Sequence, residues 1–391
     1  MATEGVAIAA SSGPETRPIV LPKFFRGLES LRGIAAILVA MLHMSWRTHV
    51  AGWPLIRNDY LMVDFFFVLS GFVIFHSYGD RLRTLVDTKR FLLLRLGRLY
   101  PLHLATLFFF VAVELARWTA LRLHLLPIAT EPFSINKPVS LLSNLLLIHA
   151  LGVHKEATWN IPSWSISTEF YAYVLCAAVC MLFSKSKPLL LTVVSLLAAT
   201  GFTVSWIKEG ALGSTARYAY FRCLLGFFCG VIAWHIYRAL AQRPMGPGMK
   251  RAFAWAETAL LATAVLFLMR KVPGRSDFWS PPLFAAIIIT VALGYGWASR
   301  VLETRPMIAL GTISYSIYLV HPVVIFLFET YLQYGLKLHR AGYYPVTPNA
   351  GDALTAAYLV AVILISRWTF VHIEDRYRRR TRAWVQAAAT T

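Results

Sequence analysis

Two residues in the apolar stretch FRGLESLRGIAAILVAMLHM, which ends at Met44, have types suited to chemistry: Arg32 and His43. Eleven positions at the helical repeat return to one face roughly 16 Å further along. That face carries a fixed cation near one membrane boundary and a titratable imidazole expected deep in the bilayer. A charge in hydrocarbon costs about 3 kcal/mol or more unless it faces a polar interior, so the pair reads first as a functional site. The structural alternative is that Arg32 snorkels to headgroups and His43 bonds a neighbouring helix.

Other groups join this pair further along the chain. In LMVDFFFVLSGFVIF, Asp64 stands among aromatics and needs a proton or a partner, for which Arg32 or His43 on the preceding segment is expected. Ser70 and Gly71 in the same run read as a small-residue step for close helix packing. In RFLLLRLGRLYPLH, Arg95 and Arg98 lie three apart on one helix flank, with Arg90 before them. Guanidiniums so spaced suit phosphate oxygens, although basic residues beside a membrane span also serve as plain anchors. In TWNIPSWSISTEFYAYV, Trp159 and Trp164 fit an interfacial aromatic belt, whereas Glu169 is a carboxylate inside an apolar run that could hold a histidine in one tautomer or accept a proton. His321, followed by Pro322, interrupts a later span and could line the same cavity as His43, and Glu374 could pair with the basic segments.

These groups must be positioned by membrane helices. The 391 residues are 57% hydrophobic and 15% charged, with mean hydropathy +0.57, which is too apolar for a soluble domain. The net charge of +19 does not indicate nucleic acid, because the basic residues fall in short loops between apolar segments, as the positive-inside rule requires. About ten spans are expected, near 28–47, 61–79, 99–117, 164–183, 189–207, 218–237, 254–270, 281–299, 307–329 and 353–373. Segment 139–152 is too short to cross and reads as re-entrant or interfacial. The fold class is therefore an all-α polytopic membrane protein, and the loop charges favour both termini in the cytoplasm. Residues 1–23 lack a signal peptide's features and read as a flexible cytoplasmic tail, 24–378 as the membrane domain, and 379–391 as a basic cytoplasmic tail. Cys176, Cys180, Cys223 and Cys229 fall inside apolar segments at no metal-ligand spacing, so free thiols and no metal site are expected.

Taken in order, Arg32 with ten residues to His43, VDFFFVLSGF at 63–72, RLGRLYPLH at 95–103, WSISTEF at 164–170 and LGTISYSIYLVHP at 310–322 resemble the membrane acyltransferase 3 family. The resemblance covers about residues 24 to 378. It implies a ten-helix enzyme of the bacterial inner membrane that moves an acyl group, usually acetyl, from cytoplasmic acetyl-CoA to a hydroxyl of a glycan. It implies that Arg32 and His43 are the essential pair and that Arg95 and Arg98 contact CoA, with Leu94 where a further arginine is usual. Glu29, Met62 and the Asp375–Arg376 pair also depart from the family pattern and mark a subfamily.

On this reading neutral His43 is the base that takes the hydroxyl proton, or a transient acyl carrier, with Glu169 or Asp64 fixing its tautomer. Arg32 holds phosphate or the oxyanion, and Arg90, Arg95 and Arg98 hold the nucleotide end of acyl-CoA. A pantetheine arm of about 15 to 20 Å matches the rise from Arg32 to His43 given by helix geometry. Trp164, Ser70 and His321 are substrate-binding or structural candidates. No permanently bound cofactor is expected; the partners are acyl-CoA, a hydroxyl acceptor, the lipid bilayer and polysaccharide-synthesis machinery. The rival class is a transporter of an acyl carrier or lipid-linked sugar, which would use the same intramembrane charges but show paired broken helices in repeated halves.

Overall fold

The computed structural model describes residues 22, 24–125, 130–270, 273–338 and 343–388. The expected tail 1–23 lies outside the described residues except for Pro22. In chain order the helices are α1 (Arg26–Leu42), α2 (Pro54–Arg57), α3 (Met62–Tyr78), α4 (Leu85–Arg122), α5 (Pro138–Leu145), α6 (Trp164–Phe183), α7 (Lys187–Lys208) and α8 (Ala219–Ala241). They continue as α9 (Pro247–Leu268), α10 (Ser280–Leu293), α11 (Trp297–Leu302), α12 (Arg305–Thr312), α13 (Ser314–Thr330), α14 (Pro348–Thr369) and α15 (Asp375–Ala387). Among the described residues the only strand-like feature is a parallel bridge between Trp46 and Tyr344.

The chain is an all-α polytopic membrane protein. Nine helical segments among the described residues are long and apolar enough to cross a bilayer. Helix α1, at 17 residues and roughly 25 Å, is not among these nine; it is shorter and carries Arg26, Glu29 and Arg32. It lies inside the bundle, against α3, α12 and α13.

Small residues set the spacing of the central helices. A side chain at Gly71 would place Cβ 1.8 Å from the Phe227 carbonyl oxygen, and one at Gly230 would lie 1.9 Å from that of Val68. Helices α3 and α8 therefore meet backbone to backbone, as small-residue interfaces allow. Gly33 and Gly311 do the same for α1 and α12, where a Gly311 Cβ would meet the Glu29 carbonyl at 2.0 Å. The expected packing role thus falls to Gly71.

Several boundaries differ from those expected. The third span begins at Leu85, because Thr84 and Asp87 cap the helix reciprocally: each accepts the other's backbone N–H at 3.1 Å. The arginines at 90, 95 and 98 are thus carried on one rigid helix that continues through Pro101. The ninth span is broken at Ile313 into α12 and α13, while α13 runs unbroken through His321 and Pro322. The last span continues through one wide turn into α15, so residues 379–387, expected as tail, are helical and rest against α4.

Segment 139–152 forms the short helix α5 and a chain reversal in which Leu147 and Gly152 adopt positive φ. It does not span, and it seats the tryptophan expected at the interface. Trp159 is buried and donates its indole N–H to Ser140 Oγ at 2.9 Å, while Trp164 is buried against Phe67. Neither belongs to an outward aromatic belt, because both precede or begin α6 on its inward face. The four cysteines are free thiols.

Candidate active site

His43 is the residue that terminates α1. Its Nδ1 lies 2.8 Å from the Val39 carbonyl oxygen, an atom that only accepts, so Nδ1 carries the proton and Nε2 of the neutral ring presents a lone pair. The end of α1 is pinned from two directions. Tyr358 donates to the Ala40 carbonyl at 3.1 Å, and the buried Trp46 indole donates to Gly351 O and Thr355 Oγ1 at 3.2 and 3.1 Å. Among the described residues the ring faces a cavity of about 330 Å³ lined also by Tyr60, Trp164, Arg222 and Tyr318. His43 is exposed, and it is exposed to this cavity within the bundle.

Behind it stands His321. The two rings are 4.9 Å apart between centroids, and His321 Nδ1 faces the Ile317 carbonyl at 3.2 Å. Its Nε2 is buried without a hydrogen-bond partner among the described residues. His321 thus packs against the His43 ring but, unlike the expectation, does not line its cavity, because it is fully buried behind that ring.

A second cavity, of about 90 Å³, lies toward the basic end of the bundle. Arg32, Arg95, Arg98, Ser70 and Glu169 line it together with Tyr173 and Tyr318. Arg32 pairs with Glu29 at 3.2 Å, one turn before it. Arg95 donates to the Tyr78 hydroxyl at 3.1 Å and stacks over the rings of Tyr78 and Phe91. Arg98 stands in the field of the carboxylates of Glu374, Glu29 and Glu169. Glu374 is buried and also accepts from Ser316 at 3.0 Å. Three guanidiniums around one cleft give a concave site that suits several phosphate oxygens at once. Arg90 does not line this cavity; it sits further along α4 toward the helix start.

Two expected contacts are absent. Asp64 pairs with neither Arg32 nor His43; Arg222 grips it bidentately, at 3.0 and 2.7 Å, because the first turn of α3 faces α8 rather than α1. Arg222 also donates to the Tyr60 carbonyl at 2.8 Å and lies over the Trp164 ring at 5.1 Å. Glu169 does not reach His43 either. It accepts from Tyr173 at 2.5 Å, one turn along α6, and the Tyr173 hydroxyl meets Ser70 Oγ at 2.9 Å. The group that sets the His43 tautomer is a backbone carbonyl.

Arg222 escaped the sequence reading, although an arginine four residues into the apolar run AYFRCLLGFF carries the same signal as Arg32. Tyr318 carried no signal, since a tyrosine within an apolar run is ordinary. Among the described residues, no group of three or more His, Cys, Asp or Glu is arranged to hold a metal ion.

The bundle of membrane helices thus holds an oriented imidazole in one cavity and an arginine-rich cleft beside it. A family model described as an acyltransferase domain, the acyltransferase 3 type, matches residues 25–370, and the chain belongs to that family. It is a membrane acyltransferase. It is 26% identical over 376 residues to the acyltransferase MdmB of Streptomyces mycarofaciens, covering 87% of each chain. It is also 26% identical over 357 residues to the putative membrane-bound transacylase BcsY of Komagataeibacter xylinus, covering 89% of this chain and 82% of that one. With the putative peptidoglycan O-acetyltransferase YrhL of Bacillus subtilis the identity is 26% over 333 residues, 78% of this chain but 49% of that protein. No solved structure matches the chain.

Proposed function

We propose that the protein is an O-acyltransferase of the bacterial cytoplasmic membrane that moves acetyl from acetyl-CoA to a hydroxyl of a cell-surface or exported glycan. The observation that carries this reading is the presence of two cavities that share Tyr318, one lined by Arg32, Arg95 and Arg98 and the other by His43. In this mechanism the basic cavity faces the cytoplasm and holds the CoA phosphates. The pantetheine arm then carries the thioester toward His43, a distance of about 16 Å by helix geometry.

His43 Nε2 takes the proton of the acceptor hydroxyl as its oxygen attacks the thioester carbonyl carbon. The tetrahedral intermediate collapses with cleavage of the carbon–sulfur bond, and the CoA sulfur leaves with the proton that His43 returns. Arg222 lines the same cavity and supplies a fixed positive charge for the oxyanion, held in place by Asp64. Arg32 orients phosphate at the near end, itself oriented by Glu29. The Val39 carbonyl, by holding Nδ1–H, keeps the basic nitrogen toward the cavity.

Of the relatives, YrhL, described as a putative peptidoglycan O-acetyltransferase, supports the acceptor class, whereas the description of MdmB as an acyltransferase names no acceptor. The test is to measure binding and thiol release with acetyl-CoA on purified protein in nanodiscs, with and without a panel of glycan acceptors. Saturable binding with acceptor-stimulated thiol release is the expected result. Protein that stays folded yet neither binds nor consumes acetyl-CoA would overturn the donor assignment.

A further inference from the structure

The two cavities share one lining residue among those described, Tyr318 on α13. Its ring stands between them, and its surroundings hold it there. The hydroxyl donates to the Pro162 carbonyl at 3.0 Å and accepts from Ser165 Oγ at 2.9 Å. Pro162 lines the His43 cavity and Ser165 lines the basic one, so the phenol is tied to both sides at the start of α6. Phe66, from the wall of the basic cavity, meets the Tyr318 ring edge to face at 5.7 Å. On the other flank His321, the ring behind His43, lies 6.0 Å away. A tyrosine that is buried, with both its hydroxyl and its ring engaged, is a rigid wall.

We propose that Tyr318 is the specificity-determining residue for the acyl group: its ring narrows the passage from the basic cavity to His43 and so sets the size of the acyl group that arrives there. The inference rests on the reading that the donor is acyl-CoA entering from the basic cavity. In that geometry the acyl group leads the pantetheine arm and is the first part of the donor to meet the ring. A two-carbon group passes beside it, whereas a longer chain must displace a side chain held by two hydrogen bonds and an aromatic contact. A wall that limits chain length discriminates by roughly tenfold or more for each added methylene it excludes.

The experiment compares wild type, Tyr318→Phe and Tyr318→Ala in nanodiscs, with thiol release from acetyl-CoA and hexanoyl-CoA as readout. The hexanoyl-to-acetyl ratio of kcat/KM should rise roughly tenfold or more in Tyr318→Ala and by clearly less in Tyr318→Phe, which keeps the ring and its Phe66 contact but loses both hydrogen bonds. An unchanged ratio in Tyr318→Ala, or an equal change in Tyr318→Phe, would overturn the proposal.

A second measurement does not depend on turnover. In a Cys229→Ala background, Val73→Cys places a thiol on the basic-cavity wall, and a charged, membrane-impermeant thiol reagent is added to one face of sealed vesicles and then to the other. With Tyr318 present the thiol should react from one face only; with Tyr318→Ala it should react from both, at an unchanged rate from the first face. Failure of the second face to gain access in Tyr318→Ala would show that the ring is no barrier. Labelling that behaves as expected in protein that consumes no acyl-CoA would leave the wall in place and remove the donor reading instead.

Discussion

The residues of the site act through orientation. In the proposed mechanism His43 can act as base only because Val39 holds the other ring nitrogen, and that constraint lies one helical turn away on the same helix. Asp64 shows the opposite case: a carboxylate that looks chemical in the sequence is consumed by Arg222, both side chains being almost wholly buried. Removing one partner of such a pair strands a charge, at a cost of about 3 to 5 kcal/mol, whereas replacing both by apolar groups is far milder. Arg222→Met should therefore lower the yield and melting temperature of purified protein sharply, and Asp64→Leu with Arg222→Met should recover most of the stability but little of the turnover. Equal stability of the single and double variants would contradict the pair's structural role. Arg32, His43, Arg95, Arg98 and Glu169 were all legible in the sequence as polar groups in apolar runs, because lipid makes such groups costly. Which of them meet was not legible, since periodicity gives a helix face and says nothing about which neighbour that face meets.

Elements explain why the contacts fall as they do. The close approach of α3 and α8 at Gly71 and Gly230 turns Asp64 toward Arg222, so the same glycines that allow the packing decide the partner. Gly71→Val would have to push the helices apart by more than a side-chain adjustment, and overpacking of this kind costs about 1 to 3 kcal/mol. The expected outcome is a lowered melting temperature in detergent together with loss of thiol release; an unchanged melting curve would contradict the backbone contact. On α4, Gly97 accommodates Thr381 of α15, whose Oγ1 would lie 2.3 Å from an added Cβ. Gly97→Val should detach α15 and open the run from Arg376 to Arg382 to limited trypsin digestion, while wild type resists. Apolar length read the spans well enough. It missed the extensions of α4 and α14, because helices beyond the hydrocarbon region are held by caps and by packing against one another, and α15 carries a strongly basic sequence that resembles a solvated tail.

At the scale of the molecule, the proposed mechanism assigns two tasks to two cavities that share a wall. In the proposed mechanism the arginines of one cavity handle a charged donor and His43 in the other handles proton transfer, with Tyr318 lining both. The ordered motifs made the family recognisable, but the sequence does not reveal two chambers, since their walls come from helices far apart in the chain. The most direct test of this division is a steady-state comparison of wild type, His43→Ala and Arg98→Ala in nanodiscs, with acetyl-CoA binding measured on the same samples. Loss of a general base should cut kcat by roughly 100- to 10,000-fold in His43→Ala, with acetyl-CoA binding retained. Loss of a charged hydrogen bond of about 1.5 to 3 kcal/mol should weaken acetyl-CoA binding roughly 10- to 100-fold in Arg98→Ala, with kcat at saturating donor largely kept. If instead His43→Ala loses binding, or Arg98→Ala loses kcat with its affinity intact, the two cavities do not divide the reaction in this way.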